Sequence, residues 1–180
     1  MNHMLTCSLL AAAAGVAVPS VASAQAKPAG DLAHTSERFN LVIAQPYSEI
    51  FPLFGAHEER KWAIGFDPEF LYPVPPHDQP GMVFTTVQDG LRRVWTNTAF
   101  DASTGHVQYV YWIANTMAAR IDIHIENSGA RDTRVHVVYE RTSLRAEANE
   151  LVLQMAQADA TCGPRWTEMI DEYFRSVTAK

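Results

Sequence analysis

Apolar and polar side chains alternate along much of the chain with a period of two, which is typical of strands covered on one face. The alternating segments are EFLYP, MVFTTVQ, RRVWTNTAF, VQYVYWIAN, ARIDIHIEN and TRVHVVYERTSL. Turn-forming residues separate them at Gly81, Asp89–Gly90, Ser103–Gly105 and Ser128–Gly129. Together with the earlier segment RFNLVIAQP, which ends at a proline, the pattern predicts an antiparallel sheet of about seven strands.

The last two alternating segments determine their own register, because only one alignment matches their side chains by character. If the hairpin is centred on Ala130, one face pairs Ile125 with Val135, Ile123 with Val137, and Ile121 with Tyr139. The other face then pairs Glu126 with Arg134, Arg120 with Glu140, and His124 with His136. A slip of one residue would bring charged side chains to the apolar face. The sheet is therefore predicted to have a dry face and a wet face.

The end of the chain changes to a helical period. One apolar stripe runs through Leu151, Met155, Ala158, Cys162, Trp166, Met169, Tyr173 and Val177, and it predicts a helix about thirty residues long. Gly163–Pro164 predicts a kink or a brief break in it, since proline lacks the backbone N–H. Such a helix has to bury its stripe, so we expect the sheet to curve around it with its dry face inward.

Two short helices are predicted after the first strand. The segment YSEIFPLFGAHEERKWAIG has helix-like spacing of its apolar residues, and Pro52 and Gly55 divide it. The charged run from Glu58 to Lys61 is typical of a solvated helix face. The whole chain is then an α+β domain in the order strand, two short helices, six strands and long helix.

This order resembles the helix-grip fold of the SRPBCC superfamily, which includes START-like lipid-binding domains and polyketide cyclases. The segment FPLFGAHEERKWAIGFDPEFLYP also resembles bacterial members in its Phe-Pro, acidic-basic run, Trp, Gly, aromatic, Asp-Pro and Tyr-Pro. GMVFTT, VWTNTAFDASTG and TRVHVVYERTSL are similar to that group as well. The resemblance covers residues 38–180 and implies a chamber between sheet and helix for an apolar or amphipathic small molecule.

The first 24 residues have the pattern of a secretory signal. They contain no Lys, Arg, Asp or Glu, run apolar from Leu5 to Val18, and end with small residues at Ala22 and Ala24. We therefore expect residues 1–24 to be a signal peptide, residues 25–37 a flexible lead-in, and residues 38–180 the ligand-binding domain. The mature protein is expected to be periplasmic or secreted, without a stable membrane anchor.

Charge excludes several classes of partner. The net charge is −6 and no Lys/Arg cluster is present, so the footprint of a nucleic-acid binder or of a protein held on anionic lipid is missing. The segment VQYVYWIAN is apolar on both faces, which indicates either a covering layer or a homodimer contact on the convex side.

The residues expected to line or close the chamber are mostly aromatic. They are Trp62, Phe66, Phe70, Tyr72, Trp95, Asn97, Tyr109, Tyr111, Ile123, Val137, Tyr139 and Trp166. For the rings between Trp62 and Tyr72 two interpretations stay open, a ligand wall that also acts as a gate and a core plug. The sequence does not decide which face of RRVWTNTAF is concave. Trp95 and Asn97 share one face, and Val94 shares the other with two threonines.

Catalytic and metal motifs are sparse. The sequence has no G-x-S-x-G, H-E-x-x-H, Walker or G-x-G-x-x-G motif. His124 and His136 with Asp122 and Glu126 have the composition of a metal set, but parity places them on the wet face, so we predict no metal and no cofactor. The polar groups that could orient a substrate or donate a proton are Tyr109, Tyr139, Asn97 and Arg141.

Three functional hypotheses follow. The first is binding of a small hydrophobic or amphipathic ligand in the chamber, and the second is a cyclase- or dehydratase-like enzyme acting on an aromatic or polyketide-like compound. The third is an interaction module with a plugged cavity that acts through its aromatic surface. An open cavity favours the first two hypotheses and a filled one the third, while inward polar groups favour the enzyme.

Overall fold

The structure, a computed structural model, describes residues 32–178. The strands are β1 His34–Ile43, β2 Glu69–Tyr72, β3 Val83–Gln88, β4 Leu91–Asp101, β5 His106–Ile113, β6 Met117–Asn127 and β7 Thr133–Ser143. The α-helices are α1 Tyr47–Ile50, α2 Ala56–Glu59, α3 Asn149–Asp159 and α4 Cys162–Thr178. Short 3-10 helices at Phe51–Phe54 and Ala146–Ala148 complete the secondary structure. The predicted signal peptide lies outside the described residues.

All seven strands form one antiparallel sheet in the order β1-β7-β6-β5-β4-β3-β2. The predicted register of β6 and β7 is confirmed, with Ile123 opposite Val137 and His124 opposite His136. Ile123 and Val137 are buried, whereas His124 is exposed, so the dry and wet faces are also confirmed. The predicted architecture, a sheet that grips C-terminal helices, is therefore the observed one.

β1 begins earlier than the sequence pattern indicates. The strand starts at His34, four residues before Arg38, where the apolar alternation begins. His34 pairs with Thr142 and Ser36 with Glu140 at the far end of β7. These residues join the ladder through their backbone groups, which a hydrophobic pattern does not report. Part of the predicted lead-in is therefore strand, and residues 25–31 lie outside the described part of the chain.

The predicted long helix is two helices, α3 and α4, and the break comes before the Gly163–Pro164 pair. α3 ends at Asp159 and α4 begins at Cys162. Pro164 thus lies in the first turn of α4, where backbone N–H groups have no partner within the helix and a missing N–H costs nothing. Among residues 32–178, no helix is both long and apolar enough to span a membrane.

The helices cover only one half of the concave face. α3 packs on β1 and β7, and α4 packs on β1. Gly163 permits this close approach, because a Cβ there would lie 3.2 Å from the carbonyl oxygen of Asn40. The ring of Trp166 meets that of Phe39 on β1 edge-on, with centroids 5.2 Å apart. The concave surface of β3 to β6 is therefore left for other residues to cover.

Candidate functional site

A cavity of about 120 Å³ lies between the concave face of β3 to β7 and the first half of α4. Trp166 and Met169 form its helix side, and the segment from Glu59 to Asp67 covers it from above. Ile64 and Val87 border its opening, since both line the cavity and both are exposed to solvent. The cavity thus lies between α4 and the part of the concave face, mainly β3 to β6, on which α3 and α4 do not pack closely.

Aromatic rings make up most of the cavity wall, and they hold one another in place. The ring of Trp95 lies parallel to that of Phe84, with centroids 5.5 Å apart, and 4.3 Å from the ring of Tyr111. Opposite the sheet, Trp62 meets Trp166 edge-on at 5.5 Å. These contacts restrict the rotamers of the rings, so the wall is preorganised for an apolar guest.

The indole N–H groups of Trp62 and Trp95 are already used. Trp62 donates from Nε1 to the carbonyl oxygen of Leu53 at 2.7 Å, and Trp95 donates to Oγ1 of Thr86 at 2.9 Å. Both indole donors therefore have acceptors within the protein, and only the ring surfaces remain for contact with a guest. The two tryptophans act as shaped apolar surfaces.

Glu59, the last residue of α2, is a carboxyl group in the cavity wall. Burial raises the pKa of Glu59 to about 8, and the negative charge of Asp78 adds to this effect. Asp78 is held in place because its Oδ1 accepts a hydrogen bond from the backbone N–H of His57 at 2.8 Å. A carboxyl group that titrates near neutrality can hold a proton and can also release it.

Two tyrosines supply hydroxyl groups to the same wall. Tyr109 donates to the carbonyl oxygen of Phe54 at 3.1 Å, whereas the hydroxyl of Tyr139 makes no hydrogen bond to any described residue. Burial raises the pKa of both hydroxyl groups, and for Tyr139 the nearby charge of Arg141 offsets only part of this rise. The tyrosines therefore stay protonated at neutral pH, and Tyr139 has a donor available to a guest.

Two arginines extend toward the cavity from the sheet, and they differ in their partners. Arg141 on β7 donates from Nε to the hydroxyl of Tyr111 at 3.1 Å and forms a two-contact ion pair with Asp159. Arg93 on β4 forms no ion pair with any described residue. Burial lowers the pKa of the Arg93 guanidinium, and the nearby charge of Arg141 acts in the same direction.

Most of the predicted chamber residues come together in this cavity. Its wall contains Trp62, Phe66, Trp95, Tyr109, Tyr111, Ile123, Tyr139 and Trp166. The open question about β4 is also answered, since Trp95 faces the helix side and Val94 is exposed on the convex side. Trp62 is buried in the wall and Phe66 half-buried near the opening, so this part of the opening aromatic segment is wall.

Four of the predicted residues lie elsewhere. Tyr72 is 57% exposed on β2, at the edge of the sheet. Phe70 packs between His57 and Phe84, outside the cavity. Val137 is fully buried in the half of the sheet that the helices cover.

Asn97 is the fourth of these residues. It shares the concave face of β4 with Trp95 and is fully buried, but its side chain does not line the cavity. Its cross-strand neighbour Tyr109 lines the cavity instead. Successive side chains of β4 alternate between the two faces of the sheet up to Asn97, as predicted. The register between β4 and β5 shifts just after Asn97.

The polar residues of the wall that the sequence patterns missed include Arg93 and Glu59. Arg93 shares its strand face with Trp95, so the parity of β4 would have revealed it once one face was known to be concave. Glu59 belongs to the run that was interpreted as a solvated face. Its neighbour Glu58 does pair with Lys61 at the surface, whereas Glu59, the last residue of α2, lines the cavity.

The histidine and carboxylate set on β6 and β7 has ordinary surface partners. His136 contacts Glu126 and Asn40, and Asp122 accepts from His106 and Gln108. Within residues 32–178, no group of three or more His, Cys, Asp or Glu side chains is arranged to hold a metal ion.

Comparison with known proteins finds solved structures alone. No family model matches the chain, and no curated protein matches it. Norcoclaurine synthase from Thalictrum flavum matches with a TM-score of 0.59 and 10% sequence identity, over 92% of this chain and 100% of that chain. An uncharacterised protein from Rhizobium leguminosarum matches with a TM-score of 0.56 and 13% identity, over 78% and 97% of the two chains. The chain has the helix-grip fold.

A third match, to a protein from Thermobifida fusca, supports the same fold. Its TM-score is 0.56 and its identity 16%, over 78% of this chain and 93% of that chain. The predicted helix-grip architecture is confirmed by these likenesses. At identities this low a shared fold says nothing specific about ligand or chemistry, which have to be argued from the residues of this chain.

Proposed function

We propose that the protein binds a small hydrophobic or amphipathic molecule in the cavity between β3 to β7 and α4. The observation that carries the proposal is a preorganised aromatic wall around space that side chains do not fill. Its rings hold one another edge-on or in parallel, and the indole donors of Trp62 and Trp95 are already satisfied by the protein. A well-formed apolar pocket with a few polar groups is the usual form of a small-molecule site.

The size of the cavity limits the guest. A volume of about 120 Å³ is slightly below that of an engineered apolar cavity of about 150 Å³ that binds benzene. The described structure therefore suits a guest built around one ring, and a full-length lipid would need the segment from Glu59 to Asp67 to move. The remaining open space argues against the plugged interaction module, as does the burial of Trp62, which such a module would expose.

A second candidate function is catalysis on such a guest. The observation that favours it is the carboxyl group of Glu59, whose pKa is raised to about 8, in the same cavity as the unengaged hydroxyl of Tyr139. A base that titrates near the working pH is effective in proton transfer. Among the fold's solved members, norcoclaurine synthase has a structure in complex with dopamine and hydroxybenzaldehyde, which supports the use of this fold for reactions of aromatic compounds.

Calorimetric titration with neutral one-ring probes tests the binding proposal. Phenol and benzene are expected to bind with dissociation constants of about 0.1–1 mM, which corresponds to about −5.5 to −4 kcal/mol. Burial of apolar surface should give a negative heat-capacity change. If neither probe binds the folded protein, the proposal fails.

The natural guest can be sought by native mass spectrometry of protein isolated from its own host. A retained small molecule would identify the guest class. Returning that molecule to the purified protein then separates the two candidates: a carrier leaves it unchanged, and an enzyme converts it in a reaction that Glu59→Gln slows.

We also propose that the protein is exported. The uncharged apolar stretch of the first 24 residues and the small residues at Ala22 and Ala24 support this.

A further inference from the structure

Two buried guanidinium groups lie at the same end of the cavity. Arg93 on β4 is 3% exposed and Arg141 on β7 is 2% exposed, and both line the cavity. The strands between them place Tyr111, Ala119 and Arg141 in one row across β5, β6 and β7. Because Ala119 is small, it leaves space above the sheet into which the long side chains extend.

The charge of Arg141 is neutralised, and the charge of Arg93 is not. Asp159 accepts both contacts of Arg141. Arg93 has no carboxylate within ion-pair distance among residues 32–178, and its Nη1 is buried without a hydrogen-bond partner. Asp89, in the exposed turn between β3 and β4, acts on Arg93 through space but does not contact it.

The other carboxyl groups in the wall do not supply the missing charge. Glu59 has a pKa raised to about 8 by burial and by Asp78, so it is mostly protonated at neutral pH. Asp67 lines the cavity from its exposed rim and forms no ion pair with Arg93. An arginine buried without a counter-charge is unfavourable for the folded protein alone, since buried charges are normally paired.

We infer that the guest of this cavity is a small monoanionic carboxylic acid with one apolar, preferably aromatic, body, and that Arg93 binds its carboxylate. This inference rests on the proposed function and names its ligand class. The planar guanidinium matches a carboxylate in shape, and a charge-assisted hydrogen bond from Nη1 of Arg93 would satisfy a buried donor that the described residues leave unpaired.

The charge balance favours a carboxylate over a phosphate. Only one positive charge at this end of the cavity is uncompensated, because Asp159 neutralises Arg141. A phosphate monoester carries up to two charges near neutrality, so it would leave one unpaired in an apolar wall. The body of the acid would lie along Trp95, which follows Arg93 on the concave face of β4, and along Tyr109, whose ring meets that of Trp95 edge-on.

Titration of acid and amide pairs tests the inference on the native protein. Phenylacetate is expected to bind at least tenfold more tightly than phenylacetamide, which has the same shape and no charge. Benzoate and benzamide provide a second pair. Phenyl phosphate is expected to bind more weakly than the carboxylates, and tighter binding of the phosphate would overturn the choice of anion.

Variants locate the anion site. Arg93→Met is expected to abolish the preference for the acid, so that phenylacetate binds no more tightly than phenylacetamide. Arg92→Met is the matched control, since Arg92 is the exposed neighbour on the same strand and contacts Glu69 at the surface; it should keep the preference. Arg93→Lys should keep part of the preference for the acid, because the positive charge is retained while the planar, bidentate donor geometry of the guanidinium is lost.

Thermal unfolding separates a ligand site from a structural role. A structural arginine would lower the melting temperature when replaced, whereas removal of an uncompensated buried charge should leave it unchanged or raise it in Arg93→Met. If phenol binds and the acids bind no better than their amides, the anion inference fails and the proposed function stands. If neither acids nor neutral probes bind, the proposed function itself fails.

Discussion

The guanidinium group of Arg141 on β7 makes two contacts with the carboxylate of Asp159 at the end of α3, and each side chain exposes only 2% of its surface. This pair lies where α3 gives way to α4. It joins the covered half of the sheet to the break between the helices. The same pair neutralises one of the two arginines at the polar end of the cavity.

Replacement of one partner of this pair should destabilise the protein strongly. Asp159→Asn leaves Arg141 buried without a counter-charge, so the free energy of unfolding should fall by about 3–5 kcal/mol. Urea unfolding measures this. Glu168→Gln, at an exposed position of α4, is the control and should change stability by about 0.5 kcal/mol or less. Equal effects for the two variants would contradict the assignment.

The stability of the protein should depend on pH through Glu59. Its pKa is raised to about 8 in the folded state from an ordinary value near 4.5, so the folded state binds this proton more tightly than the unfolded chain. Below pH 4.5 both states are protonated and the group has no effect. Between about pH 4.5 and 8 its contribution falls as pH rises, by up to about 1.4 kcal/mol per pH unit, and above pH 8 the penalty is constant.

Glu59→Gln should remove this part of the pH dependence. Urea unfolding of both proteins between pH 5 and pH 8 should show the wild type losing stability relative to the variant as pH rises. Glu58→Gln is a matched control from the same turn, since Glu58 pairs with Lys61 near the surface. Parallel pH profiles for wild type and Glu59→Gln would show that the carboxyl group is not enclosed.

Filling the cavity should cost binding more than stability. Ile123 lines the cavity, so Ile123→Phe should weaken the binding of phenol at least tenfold with a small change in melting temperature. Ile125 lies two residues further along β6, is buried and does not line the cavity. Ile125→Phe should therefore lose about 1–3 kcal/mol of stability from overpacking and keep its binding. The reverse pattern would place the guest elsewhere.

A bound guest should change the fluorescence of the tryptophans. Trp62, Trp95 and Trp166 line the cavity, whereas Trp112 is 45% exposed on the convex face of the sheet. Trp112→Phe should leave the ligand-induced change intact, and Trp95→Phe should reduce it. Emission titrated with phenylacetate measures both, and a signal that depends on Trp112 would count against the cavity as the binding site.

The exported form of the protein should begin at Gln25 or near it. This prediction rests on the apolar stretch and the small residues before Gln25. N-terminal sequencing of protein recovered from the periplasm or the medium measures it. Recovery only from the cytoplasm, with Met1 intact, would refute the proposed export.

The sequence alone predicted most of the elements because their signals are local. Alternation identified the strands, and cross-strand matching of charges and apolar residues gave the register of β6 and β7, including Ile123 opposite Val137. The helical stripe identified the C-terminal helical region. The start of β1 was missed because backbone pairing with β7 extends it over residues without an apolar pattern.

The sequence by itself determined that an apolar sheet face meets an amphipathic helix and that aromatic residues gather between them, because periodicity and composition carry this information. Only the tertiary structure decided which half of the concave face stays open, since that depends on how closely Gly163 lets α4 approach β1. The tertiary structure also decided that Asp159 reaches Arg141 and that no described carboxylate reaches Arg93. Charge compensation is a property of distances between residues far apart in the chain, and no local pattern in the sequence encodes those distances.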